Sequence, residues 1–71
     1  MATAGQILGT NVRTARRELG LSQEALAERA NLHRTEISHL ERASRDARLG
    51  TIVKVAGALG VPPAELLREI S

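Results

Sequence analysis

The chain contains no cysteine and no phenylalanine, tyrosine or tryptophan. Without cysteine, disulfide bonds and thiolate metal sites are excluded, and a reducing compartment is compatible with the sequence. Without aromatic rings, the chain lacks the stacking platform on which proteins bind single-stranded nucleic acid, so this kind of binding is disfavoured. The hydrophobic core must therefore consist of leucine, isoleucine, valine and alanine side chains.

Membrane and targeting segments are also missing. No apolar run approaches the length that crosses a bilayer, and no charged-then-apolar signal segment opens the sequence. We therefore expect a cytoplasmic protein without a membrane partner. With 71 residues, the chain is expected to form one domain with a marginal core and no ligand-sensing domain. A second subunit would stabilise such a small core.

The residue patterns of enzymes and ligand sites are absent as well. His33 and His39 are six residues apart, which places them about 120° from superposition on a helix. Neither belongs to an HExxH or paired His–carboxylate pattern. Gly5, Gly9 and Gly20 are isolated, so no glycine-rich phosphate loop is present. We therefore expect no enzyme activity, no cofactor, no metal ion and no small-molecule ligand.

The positive charge is almost entirely arginine. The formal net charge is only +2, but nine of the ten cationic residues are arginine and Lys54 is the exception. The forked guanidinium is suited to phosphate groups and to guanine edges. A GC-rich genome would produce the same bias, so both origins of the arginine content stay open.

Apolar periodicity predicts five short helices and no strand, that is, a compact all-α bundle. A loose leader is predicted over residues 1–5 and one helical domain over residues 6–71. The apolar positions that define the helices are, in order, Leu8, Val12, Ala15 and Leu19; Leu26, Ala27 and Ala30; Ile37 and Leu40; Leu49, Ile52, Val53, Ala56 and Leu59; and Leu66, Leu67 and Ile70.

Several residues predict where these helices begin and end. Gly20 and Gly60 are expected to end the first and fourth helices. Ser22 has the side chain of an N-cap for the second helix. Asn31 tolerates the left-handed backbone of a tight turn before the third helix. Pro62-Pro63 suits the start of the fifth helix, because proline is accepted in the first turn.

The third helix, predicted from His33 to Glu41, has two different sides. At 100° per residue, its outward polar side chains fall within about 100° of one another, opposite its apolar side chains. The polar set is Arg34, Thr35, Ser38 and Arg42, and the apolar set is Ile37 and Leu40. A short helix with a small basic face fits the major groove of DNA. An ordinary solvated helix face has the same composition, so the helix alone leaves both interpretations open.

Three strings of residues occur at a spacing that is typical of one kind of domain. They are residues 19–27 (LGLSQEALA), 37–42 (ISHLER) and 58–61 (ALGV). Together they resemble the Cro and phage-repressor (Xre-like) type of helix-turn-helix domain, and the likeness covers residues 7–70. Two further strings, residues 31–35 (NLHRT) and 41–45 (ERASR), look most like the small controller proteins of restriction–modification systems.

This resemblance implies a lambda-repressor-like fold and a sequence-specific transcriptional regulator of double-stranded DNA, located at the nucleoid. It assigns base reading to Arg34 and Thr35, with Ser38 and His39 as secondary contributors. It assigns phosphate binding to Ser22, Gln23, Arg42 and Arg45, and to Arg48, whose position matches less well. It also implies a structural ion pair between Arg16 and Glu41, which would tie the first helix to the end of the third.

Homodimerisation is expected, because two half-sites of a near-palindromic operator match a two-fold protein. The candidate interface is formed by Glu65, Leu66, Leu67 and Ile70, although the three apolar residues would pack equally well in the core of one subunit. RNA polymerase is a further candidate partner. An antitoxin-type autoregulator and a protein-binding helical module remain as alternative functions.

Four positions depart from the pattern of the family. Asn31 stands where glycine is common, which is a tolerable substitution. His33 occupies a helix cap where serine, threonine or aspartate is common, and Glu36 would compensate by binding the backbone of His33. Ala43 replaces a common glycine after the third helix, and Ala47 replaces a common proline in the loop. The last two substitutions leave open the path of the loop, and hence the reach of Arg45 and Arg48.

Overall fold

The computed structural model describes residues 1–70 and contains five helices in this range. Ser71, the last residue of the predicted domain, lies outside the described residues. The helices are α1 (Ala4–Glu18), α2 (Gln23–Ala30), α3 (Arg34–Arg42), α4 (Leu49–Leu59) and α5 (Pro63–Leu66). No strand occurs within residues 1–70. The prediction of an all-α bundle is confirmed for this part of the chain.

The first helix begins at Ala4, inside the segment that was predicted as a leader over residues 1–5. Thr3 Oγ1 accepts a hydrogen bond from the Gln6 backbone at 3.1 Å, and Gln6 Oε1 accepts one from the Thr3 backbone at 2.9 Å. This reciprocal capping box satisfies two backbone donors at the helix start. The first helix therefore begins two residues before the predicted domain boundary at residue 6, because the Thr-x-x-Gln capping box fixes its start there.

The core is continuous and purely aliphatic. It contains Leu8, Val12, Leu26, Ala27, Ile37, Leu40, Ile52, Val55, Ala56, Leu59 and Leu66. Helices α1 and α3 pack closely where they cross at Gly9, since a Cβ atom at this position would lie 2.6 Å from the Glu41 carbonyl oxygen. The close approach of the two backbones fixes the position of α3 on the bundle.

Left-handed turns flank α3 at both ends. Asn31 has φ 56° and ends α2, and Ala43 has φ 55° and ends α3. The turn predicted at Asn31 is confirmed. Alanine has a Cβ that opposes this conformation at a cost of about 1–2 kcal/mol. The loop after α3 therefore begins with a left-handed turn although glycine is missing there.

The C-terminal segment packs against α1 in the same subunit. Leu66 is 1% exposed, and the buried Asn11 side chain donates hydrogen bonds to the carbonyl oxygens of Leu66 at 2.9 Å and Arg68 at 3.1 Å. Leu66 is therefore part of the core of one subunit, and its assignment to a dimer interface was wrong. An apolar stripe alone does not show whether a residue packs within its own subunit or against a second one.

Candidate nucleic-acid interface

Helix α3 has one polar and one buried side, as the spacing predicts. Arg34 and Thr35 are exposed and Ser38 is half-buried. On the opposite side, Ile37 is completely buried and Leu40 is 5% exposed. The buried pair fixes the helix on the bundle, so the polar side faces solvent in a defined orientation. An α-helix of nine residues fits the major groove, where the N-terminal residues of a recognition helix contact base edges.

The start of α3 is stabilised by side chains on both sides of its first turn. His33 Nδ1 accepts a hydrogen bond from the Thr35 backbone at 3.2 Å, and Glu36 Oε2 accepts one from the His33 backbone at 2.9 Å. The compensating contact predicted for Glu36 is therefore present. His33 serves as a cap even though histidine is not among the common cap residues.

The far end of α3 is fixed by a buried ion pair. Arg16 Nε donates to Glu41 Oε2 at 2.6 Å, and Arg16 Nη2 donates to Glu41 Oε1 at 3.0 Å. The third arm of the guanidinium donates to the Leu21 carbonyl oxygen at 2.8 Å. The structure thus brings together the two residues of the implied ion pair, 25 residues apart in the chain, and connects α1, α3 and the segment before α2.

Two more side chains donate to the same carboxylate. Gln23 Nε2 lies 3.2 Å and Arg13 Nε lies 3.4 Å from Glu41 Oε1. Burial alone would raise the pKa of Glu41, but the hydrogen bonds from Arg16, Gln23 and Arg13 and the charge of Arg16 together lower it below its ordinary value. Glu41 is thus held as a carboxylate whose side chain has no exposed surface. We call Arg13, Arg16, Gln23 and Glu41 the Glu41 cluster.

The start of α2 offers a second polar surface. Ser22 Oγ accepts a hydrogen bond from the Ala25 backbone at 3.0 Å, and its own hydroxyl hydrogen is available to donate. The helix N-terminus adds a partial positive charge that favours an anion. Gln23, predicted to bind phosphate, instead uses one amide hydrogen on Glu41, so only the other amide hydrogen is available to a ligand.

The loop after α3 brings three of the predicted contact residues together. His39, Arg45 and Arg48 line one shallow pocket of about 190 Å³. Arg45 and Arg48 are exposed, as is Arg42 at the end of α3. His39 Nδ1 lies 2.7 Å from Ser44 Oγ, so its ring is held against the loop at the edge of α3. Glu36 and Asp46 line the same pocket, so the two arginines lie beside carboxylates as well as beside His39.

Two residues that position the interface were not identified from the sequence. Gly9 permits the close crossing of α1 and α3, and Asn11 holds the C-terminal segment. No local pattern marks Gly9, because the crossing of two helices depends on the whole fold. Asn11 did carry a signal, since it interrupts the apolar neighbourhood of Leu8 and Val12 with a polar side chain. A buried amide needs hydrogen-bond partners.

Residues 1–70 contain no group of three or more histidine, cysteine, aspartate or glutamate side chains that would hold a metal ion. None of the helices described here has both the length and the apolar character needed to cross a membrane.

Comparison with known proteins decides the family. The helix-turn-helix family matches residues 12–66, a range that contains α2, the turn at Asn31 and all of α3. The chain belongs to the helix-turn-helix family. It is a DNA-binding transcriptional regulator, and α2 and α3 are the two helices of its motif.

Controller proteins are among the relatives of this helix-turn-helix protein. The chain is 45% identical to control protein C.BamHI of Bacillus amyloliquefaciens over 86% of its length and 76% of that protein. It is also 45% identical to control protein C.SmaI of Serratia marcescens over 87% of its length and 74% of that protein. The crystal structure of the restriction-modification controller protein C.AhdI from Aeromonas hydrophila superimposes with a TM-score of 0.84 at 39% identity, covering 87% of this chain and 94% of that one. The predicted fold and the narrower resemblance to controller proteins are both confirmed.

Proposed function

We propose that the protein binds a near-palindromic operator as a symmetric homodimer and inserts α3 of each subunit into the major groove. The observation that carries this proposal is the exposed row of Arg34 and Thr35 at the start of a helix whose other side is completely buried at Ile37. The first turn of a recognition helix usually penetrates deepest. Its side chains therefore reach the base edges.

Each group of residues has a distinct part in this proposal. Arg34 would donate two hydrogen bonds to O6 and N7 of guanine, a contact worth about 1–3 kcal/mol of discrimination. Thr35, Ser38 and His39 would contribute secondary contacts along the same helix. The phosphate-binding group flanks the base-reading group on both sides and consists of Ser22, Gln23, Arg42, Arg45 and Arg48. Phosphate contacts fix the register of the helix in the groove.

The dimer surface needs revision because Leu66 is buried. Leu49 is 73% exposed, Val53 is 49% exposed and Leu67 is 40% exposed. Leu49 and Val53 are four residues apart on α4, so they lie on one side of that helix. Exposed aliphatic side chains on one side of α4 favour a contact with a second copy, since a two-fold axis would bury the same side chains of both subunits at once. Glu65, Leu67 and Ile70 remain predicted contact residues of the C-terminal segment.

We further propose that the regulated genes belong to a restriction–modification system. The support is the similarity to two control proteins and to a solved controller protein over most of their lengths. The protein would act in the cytoplasm at the nucleoid, without enzyme activity. RNA polymerase remains a predicted partner, which a pull-down with promoter DNA would test.

The DNA-binding part is tested by selection from a library of random duplexes with the purified protein. We expect a near-palindrome whose half-sites are about one helical turn apart, and binding to it that weakens as salt rises. Enrichment of no common sequence would contradict the proposal. Binding to single-stranded DNA in preference to the duplex would contradict it as well.

The dimer is tested by sedimentation equilibrium with a matched pair of variants. Val53→Asp places a charge on the proposed interface and is expected to give a monomer. Leu19→Asp changes a side chain that is 50% exposed, almost the same as Val53, at the end of α1, and is expected to leave the dimer intact. Equal masses for the two variants would show that α4 does not form the interface.

A further inference from the structure

His33 contacts both polar groups of Thr35 at the start of α3. Its Nδ1 atom lies 3.2 Å from the Thr35 backbone nitrogen and 2.7 Å from Thr35 Oγ1. The cap of α2 is different, because Ser22 accepts from the backbone of Ala25, whose side chain has no polar atom. Only at α3 does the capping side chain also restrain a residue of the proposed base-reading group.

The direction of the two hydrogen bonds to His33 follows from one fixed donor. A backbone N–H always donates, so Nδ1 must carry a lone pair and accept the hydrogen of the Thr35 backbone. A ring nitrogen without a hydrogen cannot donate, so the Thr35 hydroxyl donates to Nδ1 as well, and the two donors share its single lone pair. This arrangement corresponds to the tautomer that carries its hydrogen on Nε2. Thr35 Oγ1 consequently presents only lone pairs to an outside partner.

We infer that His33 is a positioning residue that restricts Thr35 to accepting hydrogen bonds from DNA bases. In the major groove, adenine N6 and cytosine N4 are donors, whereas guanine O6, guanine N7 and thymine O4 are acceptors. Thr35 Oγ1 therefore pairs with the amino group of adenine or cytosine, and it disfavours guanine and thymine at the base that it faces. This inference rests on the proposed function, in which Thr35 reaches a base edge.

The tautomer of His33 is measured on the free protein, independently of any DNA. Nitrogen-15 NMR of labelled protein distinguishes a ring nitrogen with a hydrogen from one without. We expect the signal of His33 Nδ1 to be that of a nitrogen without hydrogen and the signal of Nε2 to be that of a nitrogen with hydrogen. The opposite tautomer would overturn the inference, because Nδ1 would then donate and leave the Thr35 hydroxyl hydrogen free.

The consequence for base preference is measured by duplex selection with three variants, Thr35→Val, His33→Ala and the double variant. Thr35→Val keeps the branched shape and removes the hydroxyl, so it is expected to lower the preference for adenine or cytosine at one position roughly fivefold, the worth of about one hydrogen bond. His33→Ala frees the hydroxyl to donate, and it is expected to admit guanine or thymine at the same position. In the double variant, the base preference at that position should equal that of Thr35→Val alone, because no hydroxyl remains for His33 to restrain.

A variant at a different helix cap serves as the control for a general loss of stability. Thr3→Ala removes the Thr3 Oγ1 contact with Gln6 at the start of α1, far in the chain from Thr35, and should leave the base preference unchanged while lowering the melting temperature. Duplex binding with an unaltered preference in His33→Ala would overturn the inference and leave the proposed function standing. Failure of the wild type to select any duplex would instead contradict the proposed function itself, and the NMR result would still decide the tautomer.

Discussion

The two ends of α3 use charged side chains in opposite ways. Near its C-terminal end, Glu41 has no exposed side-chain surface and is bonded to Arg16 at 2.6 Å. Near its N-terminal end, Arg34 is exposed. Within eight residues, one helix thus carries both an exposed guanidinium that can bind a partner and a buried carboxylate that holds the fold together.

This contrast shows how a small protein without aromatic residues can present a rigid reading surface. A buried charge is strongly destabilising unless it is paired and hydrogen-bonded, so moving α1 or α2 away from α3 would leave Glu41 without the partners it has in the Glu41 cluster. An exposed charge is solvated and contributes little to stability. Substitutions at the two ends should therefore separate stability from DNA binding.

The largest loss of stability is expected from reversing the charge at the buried end. Glu41→Lys places a third cation beside Arg16 and Arg13, and it should lower the free energy of unfolding by at least about 3–5 kcal/mol. Urea denaturation measures this change. Glu18→Lys makes the same change of charge at an exposed position and should alter stability by less than about 0.5 kcal/mol. Similar stabilities for the two variants would remove the structural role of the Glu41 cluster.

A smaller loss is expected where α1 and α3 cross. Gly9→Ala would place a Cβ atom 2.6 Å from a backbone oxygen, and forcing the helices apart should cost about 3 kcal/mol. Gly57→Ala is the matched control, because its Cβ would meet nothing within 4 Å. Alanine suits a helix interior better than glycine by about 0.5–1 kcal/mol. Thermal melting should therefore show opposite signs for the two variants, and a shared sign would contradict the close crossing.

Lowering the pH should weaken the Glu41 cluster and so reduce the free energy of unfolding. The pKa of Glu41 is lowered in the folded protein from its ordinary value of 4.5. Its contribution is then fully present above pH 4.5 and is lost as the pH falls through the lower folded pKa. Chemical denaturation of the wild type over this range should show falling stability, and Glu41→Gln should show a shallower dependence on pH. Parallel curves for the two proteins would mean that other carboxylates cause the acid sensitivity.

The smallest effect is expected from an exposed ion pair. Arg68 Nη1 and Glu65 Oε1 lie 2.8 Å apart, with about half of each side chain exposed. Arg68→Ala should change the free energy of unfolding by less than about 0.5 kcal/mol, measured at a protein concentration where the dimer is dissociated. A loss as large as that of Glu41→Lys would show that proximity of charges, rather than burial, controls stability here.

The sequence predicts features formed by neighbouring residues, such as helix bounds, better than contacts between residues far apart in the chain. The bounds of α4 were predicted because Leu49, Leu59 and the following Gly60 give a complete pattern within twelve residues. The two arcs of α3 were predicted for the same reason. The start of α1 has a signal in the sequence as well, since Thr3 and Gln6 form a recognisable capping box.

Distant contacts were not predictable from spacing. The pairing of Arg16 with Glu41 came only from the resemblance to a family, because no local rule joins residues 25 positions apart. The second partner of Gln23 and the burial of Leu66 depend on how the helices pack. The part of the candidate site that the sequence predicts is therefore the identity of its exposed side chains, and the packing that orients them came from the structure.

The central claim, that the exposed start of α3 reads bases, is tested most directly by titrating Arg34→Ala against two duplexes. One is the sequence that the wild type selects, and the other is the same composition in scrambled order. We expect affinity for the selected duplex to fall roughly 5- to 100-fold and affinity for the scrambled duplex to change much less. Arg17→Ala, which removes an equal charge from an exposed position on α1, should affect both duplexes alike. An equal loss on both duplexes for Arg34→Ala would contradict the claim.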